Sequence, residues 1–168
     1  GKEIGQSLLD EETVGTAASL LKKAVEAGVD LQLPSDCVTV QKLEAGADQQ
    51  VVSTDAIPAD WEGVDIGPET SAAFANLVSS AGTVVWNGPL GVFEIDDFAK
   101  GTNAVAQALE QATWESGAVS IIGGGDTASA VAKAGAAQRM THMSTGGGAS
   151  LECLGGRVLP GVEALNDK

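Results

Sequence analysis

Tyrosine is absent from this chain of 168 residues, and phenylalanine and tryptophan occur three times each. Aromatics at 4% leave no stacking platform for single-stranded nucleic acid. Positive charge is also scarce: 9 Lys and Arg stand against 23 Asp and Glu, for a net charge of −14. Such a surface repels polyanions, so nucleic acid is not an expected partner. Arg139 and Arg157 are the only arginines and lie far apart in sequence. An anion site must therefore rest on backbone amides, helix ends and a metal.

Other shortages narrow the choice further. No apolar run approaches the length of a membrane span, and no charged start followed by an apolar stretch reads as a signal peptide. The two cysteines, Cys37 and Cys153, lack a metal-ligand spacing and are read as reduced, buried thiols. The single histidine, His142, falls in a strand-like segment, where a hydrogen-bonded core histidine is expected rather than a pH switch or a metal ligand. There is no low-complexity stretch and no repeat of fixed period. Length and composition suit one domain with a real core. The sequence opens on Gly1 with a helix preceded by no strand, and is read as a piece of a longer protein.

What the chain does have is glycine at strand ends. Thr83-Val84-Val85-Trp86 runs into Asn87-Gly88-Pro89, Val119-Ser120-Ile121-Ile122 into Gly123-Gly124-Gly125-Asp126, and Met140 to Thr145 into Gly146-Gly147-Gly148. A helix-like pattern follows each. A strand ending in bare backbone at a helix start collects N–H donors in one place, which suits phosphate oxygens. Three such ends on one parallel sheet would build a single crevice.

The rest of the chain supports that frame. Val14, Ala17, Ala18, Leu21 and Val25 predict a helix over 10–27, capped by Asp10 and stopped by Gly28. Short strands are predicted at 30–33 and 37–40, then a surface hairpin or excursion over 41–60 with a strand at 50–53. A turn-rich connector over 61–68 leads to a helix over 69–80 opened by Pro68. Strands at 83–86, 118–122 and 139–144 then alternate with helices at 101–112, 126–134 and 148–154. Alternation implies right-handed crossovers, hence an α/β, Rossmann-like three-layer αβα domain with a mainly parallel sheet.

Each candidate site has a plainer alternative. Gly123-Gly124-Gly125-Asp126-Thr127 fits a phosphate turn, or else Asp126 caps the helix and the glycines only make the turn. A carboxylate facing phosphates needs a cation between them, which makes Asp126 a candidate Mg²⁺ ligand. Ser144 to Ser150 repeats the device without a carboxylate and suits a phosphoryl group in transit, or is a plain glycine turn. In Trp86 to Glu94, Asn87 offers a neutral hydrogen-bonding end, Pro89 and Val92 an apolar wall, and Glu94 an acceptor for ribose hydroxyls. The alternative there is a buried corner, with Trp86 and Phe93 in the core. Gly63 by itself says only that the backbone bends.

Taken in order, Trp86-Asn87-Gly88-Pro89-Leu90-Gly91-Val92-Phe93-Glu94, Gly123-Gly124-Gly125-Asp126-Thr127 and His142-Met143-Ser144-Thr145-Gly146-Gly147-Gly148-Ala149-Ser150-Leu151-Glu152 resemble phosphoglycerate kinase. Gly5-Gln6-Ser7-Leu8, Leu33-Pro34-Ser35-Asp36, Val64-Asp65-Ile66-Gly67-Pro68 and Leu159-Pro160-Gly161-Val162 extend the resemblance almost end to end. It implies the nucleotide-binding lobe of a two-lobed glycolytic kinase that passes a phosphoryl group between 1,3-bisphosphoglycerate and ADP, with Mg²⁺ as cofactor. Residues 1–168 would form a single nucleotide-binding domain, without the lobe that binds 3-phosphoglycerate. By resemblance Gly63 borders the adenine, Asn87 and Pro89 lie along the nucleotide, and Glu94 meets the ribose. Gly124, Gly125, Asp126 and Thr127 would hold the phosphates of ATP or ADP, with Asp126 on Mg²⁺. Gly147 and Gly148 would meet the migrating phosphoryl group as catalytic amides. A monomer in the cytoplasm or a plastid stroma, without membrane contact, is implied as well.

The departures are mild: Leu90, Met143 and Cys153 replace other apolar residues and remove no polar function. The Gly-Ala-Lys segment that opens the family's nucleotide lobe is absent. Two rival classes stand beside this reading. A dehydrogenase would need Gly-x-Gly-x-x-Gly with an acidic residue roughly 20 positions on, a spacing that Gly123–Asp126 lacks. A non-catalytic module of the same fold would have no need to keep Asp126, Glu94 and both triple-glycine loops together.

Overall fold

A computed structural model describes residues 2–165, and its contacts divide the chain into two compact units, Gly1–Thr70 and Ser71–Lys168, where the sequence reading takes one domain. Among the described residues no helix is long and apolar enough to cross a membrane.

The first unit holds helix α1 (Val14–Ala27) and strands β1 (Asp36–Val40), β2 (Gln49–Ser53) and β3 (Glu62–Ile66). Gly28 ends α1 at φ 67°, and the N–H groups of Gly28 and Val29 return to the carbonyls of Val25 and Ala24. This paired arrangement satisfies carbonyls that the helix end leaves open. The predicted start is one turn too early. Asp10 does not cap the helix; its carboxylate accepts the Glu12 N–H at 3.1 Å in a local turn, and Thr13 precedes the first helical residue. No residue of α1 is buried, so its apolar recurrence lies open here.

The sheet runs β2-β1-β3, antiparallel throughout, and all of β1 is buried. The predicted hairpin and its second strand are present. The strand predicted at 30–33 is not, and that segment pairs with nothing regular. Asp36 and Thr70 close this unit. The Asp36 carboxylate accepts the N–H of Glu69 at 3.0 Å, the N–H of Thr70 at 2.8 Å and the Thr70 hydroxyl at 2.6 Å. It does for helix α2 (Pro68–Ser80), from a distant strand, what a local cap does elsewhere. Burial works to raise the Asp36 pKa, but the Thr70 hydroxyl and the Thr70 and Glu69 amides prevail and hold it below the ordinary carboxylate value.

The second unit is the α/β part. Strands β4 (Thr83–Asn87), β5 (Val119–Gly123) and β6 (His142–Ser144) form a parallel sheet in that order. Helices α3 (Lys100–Ser116), α4 (Gly125–Lys133) and α5 (Gly147–Leu154) connect or follow the strands, with α6 (Pro160–Glu163) after them. Side chains alternate across the sheet. Trp86 and Ile122 face one way, into a core with Val105, Ala106 and Leu109 of α3 and Val131 of α4. Fully buried Leu109 and Ile122 each stabilise the fold by about 1.5–3 kcal/mol. Val85 and Ile121 face the other way and line a cleft with Ala149, Cys153 and Leu154 of α5. The result is the expected Rossmann-like layering of helix, parallel sheet and helix.

Four expectations need correction in this unit. The last strand shrinks to His142–Ser144 because Ala137–Arg139 takes a 3-10 turn, where Arg139 pairs with Glu110 at 3.3 Å and stands over the Trp114 ring. His142 is exposed, since Met143 is the β6 residue that packs on the core and its neighbours point the opposite way. Cys153 is exposed, whereas Cys37 is buried as predicted. Burial and the neighbouring Asp36 charge push the Cys37 thiol pKa up, which keeps it protonated. Trp86 is core, but Phe93 is only half-buried, and Phe98 is the aromatic with no exposure.

Candidate functional site

The parallel register brings the three glycine ends to one level: Asn87 is opposite Gly123, and Gly123 is opposite Ser144. Beyond that level the backbones nearly touch. A methyl group built on Gly147 would lie 2.6 Å from the Asn87 side-chain nitrogen and 2.7 Å from the Gly124 Cα. Only a residue without Cβ fits there. The Gly124 N–H donates to the Ser144 carbonyl at 2.9 Å, stitching the β5 end to the β6 end. Asn87, Gly124 and Gly147, taken from three separate sequence motifs, therefore meet at one point.

Two helices begin at this point. Gly124, at φ 94° and ψ 146°, precedes α4, in a conformation that essentially only glycine adopts. The first helix-closing bond of α4 runs from Ala128 N–H to the Gly124 carbonyl, so the amides of Gly125, Asp126 and Thr127 have no intrahelical acceptor. In α5 the corresponding bond runs from Ser150 N–H to Gly146, which leaves the amides of Gly147, Gly148 and Ala149 in the same condition. Both sets carry the partial positive charge of a helix start. No side chain caps either helix, so Asp126 is not the local cap of the plainer alternative. Its side chain is exposed at the second position of α4. Among the described residues no three His, Cys, Asp or Glu side chains gather as a ready metal cage.

The loop after β4 is pinned along its length. Gly88 turns at φ 103°, and its carbonyl accepts the Trp86 indole N–H at 2.6 Å. Its own N–H donates to the Thr127 hydroxyl at 2.7 Å. Past Pro89, the Leu90 N–H donates to Thr102 Oγ1 at 3.0 Å. Further on, Lys133 Nζ donates to the carbonyls of Phe93 at 2.8 Å and Glu94 at 3.1 Å and pairs with Asp96 at 2.6 Å. Glu94 itself is exposed. Thr127, Asn87, Pro89 and Glu94 thus belong to one assembly with the glycine turns.

Gly63 belongs to the first unit, in β3, where its N–H donates to Ser7 Oγ at 2.9 Å. A methyl group there would meet only Ser7 Oγ, at 3.6 Å, so nothing in the described chain demands glycine at that place. Sequence reasoning passed over Lys133 and Thr102. Lys133 carried one weak signal: it is the only basic residue between Gly123 and Gly135.

The family model described as phosphoglycerate kinase matches residues 1–157. Phosphoglycerate kinases of Chlorobium chlorochromatii and Pelodictyon phaeoclathratiforme are 53% and 55% identical over 167 residues, 99% of this chain. The chain spans 42% of the length of each. Among solved structures, the phosphoglycerate kinase of Coxiella burnetii superposes with a TM-score of 0.89 at 44% identity, over 97% of this chain and 41% of that one. That of Pyrococcus horikoshii gives 0.74 at 29% identity, over 92% of this chain and 36% of that one. Matched over nearly all its residues by sequence and by fold alike, the chain belongs to the phosphoglycerate kinase family.

Proposed function

We propose that this chain is the nucleotide-binding part of a kinase that moves a phosphoryl group between 1,3-bisphosphoglycerate and ADP, giving 3-phosphoglycerate and ATP. The observation that carries this reading is the meeting of Asn87, Gly124 and Gly147 at one level of a parallel sheet, with two helix starts opening there. Phosphoryl transfer asks for positioning and charge neutralisation, not a covalent helper. Amides at helix starts supply both without adding a group that must be deprotonated.

In this reading the Gly125, Asp126 and Thr127 amides hold the nucleotide phosphates. Gly124 contributes shape rather than a donor, because its N–H already serves Ser144. Thr127 accepts from Gly88 through its hydroxyl, which ties the loop after β4 to the turn whose amides face the phosphates. The Gly147 and Gly148 amides meet the transferring group. Glu94 receives ribose hydroxyls, and Asn87 and Pro89 flank the nucleotide. The exposed Asp126 carboxylate, a hard oxygen donor beside those amides, would hold Mg²⁺. When bound, the cation offsets charge on the phosphates that a chain of net charge −14 would otherwise repel. The acyl phosphate arrives on a first lobe, and closure of the two lobes expels water so that hydrolysis does not compete. The working protein is a cytoplasmic monomer.

Thermal shift separates this reading from its rivals. Mg·ADP should raise the melting temperature of the chain by a small amount, and Mg²⁺ with NAD should not. The 168-residue chain alone should give no turnover in a coupled assay. A shift with NAD alone, or with neither nucleotide, overturns the proposal.

A further inference from the structure

Helix α4 does more than present a phosphate turn at its start. Its last residue, Lys133, directs all three ammonium protons to one stretch of the loop after β4: the carbonyls of Phe93 and Glu94 and the carboxylate of Asp96. The ammonium is thereby saturated, and its charge is offset by Asp96 rather than by Glu94. Glu94 gives up its carbonyl to the lysine and keeps its exposed carboxylate out of the ion pair. Two local turns stiffen the same stretch, with Phe93 N–H on the Gly91 carbonyl at 2.8 Å and Ile95 N–H on Val92 at 3.1 Å.

The other end of the loop is tied to the same helix, through Gly88 and Thr127. Thr127 and Lys133 are six residues apart, about 9 Å along a helix. One rigid rod therefore sets the distance between the phosphate turn and the backbone of Glu94. We infer that Lys133 is a positioning residue for nucleotide selection: with Asp96 as its neutralising partner, it fixes Glu94 so that the Glu94 carboxylate meets the vicinal hydroxyls of a ribose held by its phosphates at the start of α4. This rests on the nucleotide reading above and adds a specificity role for two residues that would not touch the ligand.

The test uses the two-lobed enzyme containing this sequence, with ADP, 2′-deoxy-ADP and 3′-deoxy-ADP as substrates. A charge-assisted bond to hydroxyl gives a preference for ADP of roughly tenfold to a hundredfold in kcat/KM. Lys133→Met should bring that preference close to unity, mainly through KM, with kcat much less changed; Lys133→Arg should retain most of it. Hydrogen exchange without nucleotide gives the second readout. The Phe93 and Ile95 amides should exchange faster in Lys133→Met and as in the wild type in Lys133→Arg. A purely structural lysine would lower stability and leave the ribose preference alone, so an unchanged preference in a folded Lys133→Met overturns the inference. Unchanged protection of the two amides does the same. If the wild type itself prefers no ribose hydroxyl, and Glu94→Gln matches it, the role of Glu94 fails and the inference falls with it.

Discussion

The backbone N–H of Gly88 points at the hydroxyl of Thr127 across 2.7 Å, joining the turn after β4 to the first turn of α4. Thr127 is buried, and its hydroxyl is the acceptor found for that amide. A residue that looks from sequence like a ligand contact is therefore also a tie between two loops. Thr127→Val should cost about 1–3 kcal/mol of stability, because it strands a half-buried amide, whereas Thr127→Ser should cost much less. Urea unfolding of both variants checks this, and equal stability of Thr127→Val and wild type would contradict it.

The two glycines assigned to the migrating phosphoryl group should behave differently. Gly147→Ala puts a methyl against the Asn87 amide and the Gly124 backbone, and should destabilise by about 1–3 kcal/mol. Adding Asn87→Ala should recover only part, since the Gly124 contact remains. Gly148 looks into open space, so Gly148→Ala should stay within about 0.5 kcal/mol of wild type. Melting curves for the three variants decide it.

Asp36 predicts how stability changes in acid. Its pKa is lower in the folded chain than the ordinary 3.8, so on acidification the unfolded chain takes up this proton first. The contribution of Asp36 is therefore fully present above the ordinary value and is lost as pH falls through the lower, folded value. Asp36→Asn should flatten this part of the stability curve below about pH 4. Asp36→Ala should cost about 1–3 kcal/mol at neutral pH by leaving the Glu69 and Thr70 amides unmet. A mutant whose acid limb matches the wild type would remove Asp36 from the account.

Asp126 should separate stability from activity. Its exposed side chain makes no capping bond, so Asp126→Ala should leave unfolding within about 0.5 kcal/mol of wild type. In the two-lobed enzyme the same change should reduce turnover by orders of magnitude, by removing the proposed cation ligand. Near-normal turnover would rule out that role.

The α/β character of the second unit was legible because its strands end on glycine and its helices keep their period. Gly124, Gly125 and Gly147 announced their turns for the same reason. What could not be read was long-range. Asp36 serves amides more than thirty positions away, and Lys133 reaches carbonyls about forty positions back. Neither spacing has a local signature. His142 was misplaced because a three-residue strand offers too little alternation to show which face is packed. The strand expected at 30–33 had the right residues but no partner, and a strand is defined by its partner. Asp10 was a good cap candidate that the chain used for a turn instead.

The common level of Asn87, Gly123 and Ser144 also governs how the chain tolerates changes in length. Residues added to the loops beyond that line leave the strands where they are. A single deletion within β5 withdraws its end by about 3.3 Å and takes Gly124 out of reach of both neighbours. Growth is permitted above the sheet and forbidden beneath it, so lineages that vary this sequence should accumulate their insertions on one side of a boundary one residue wide.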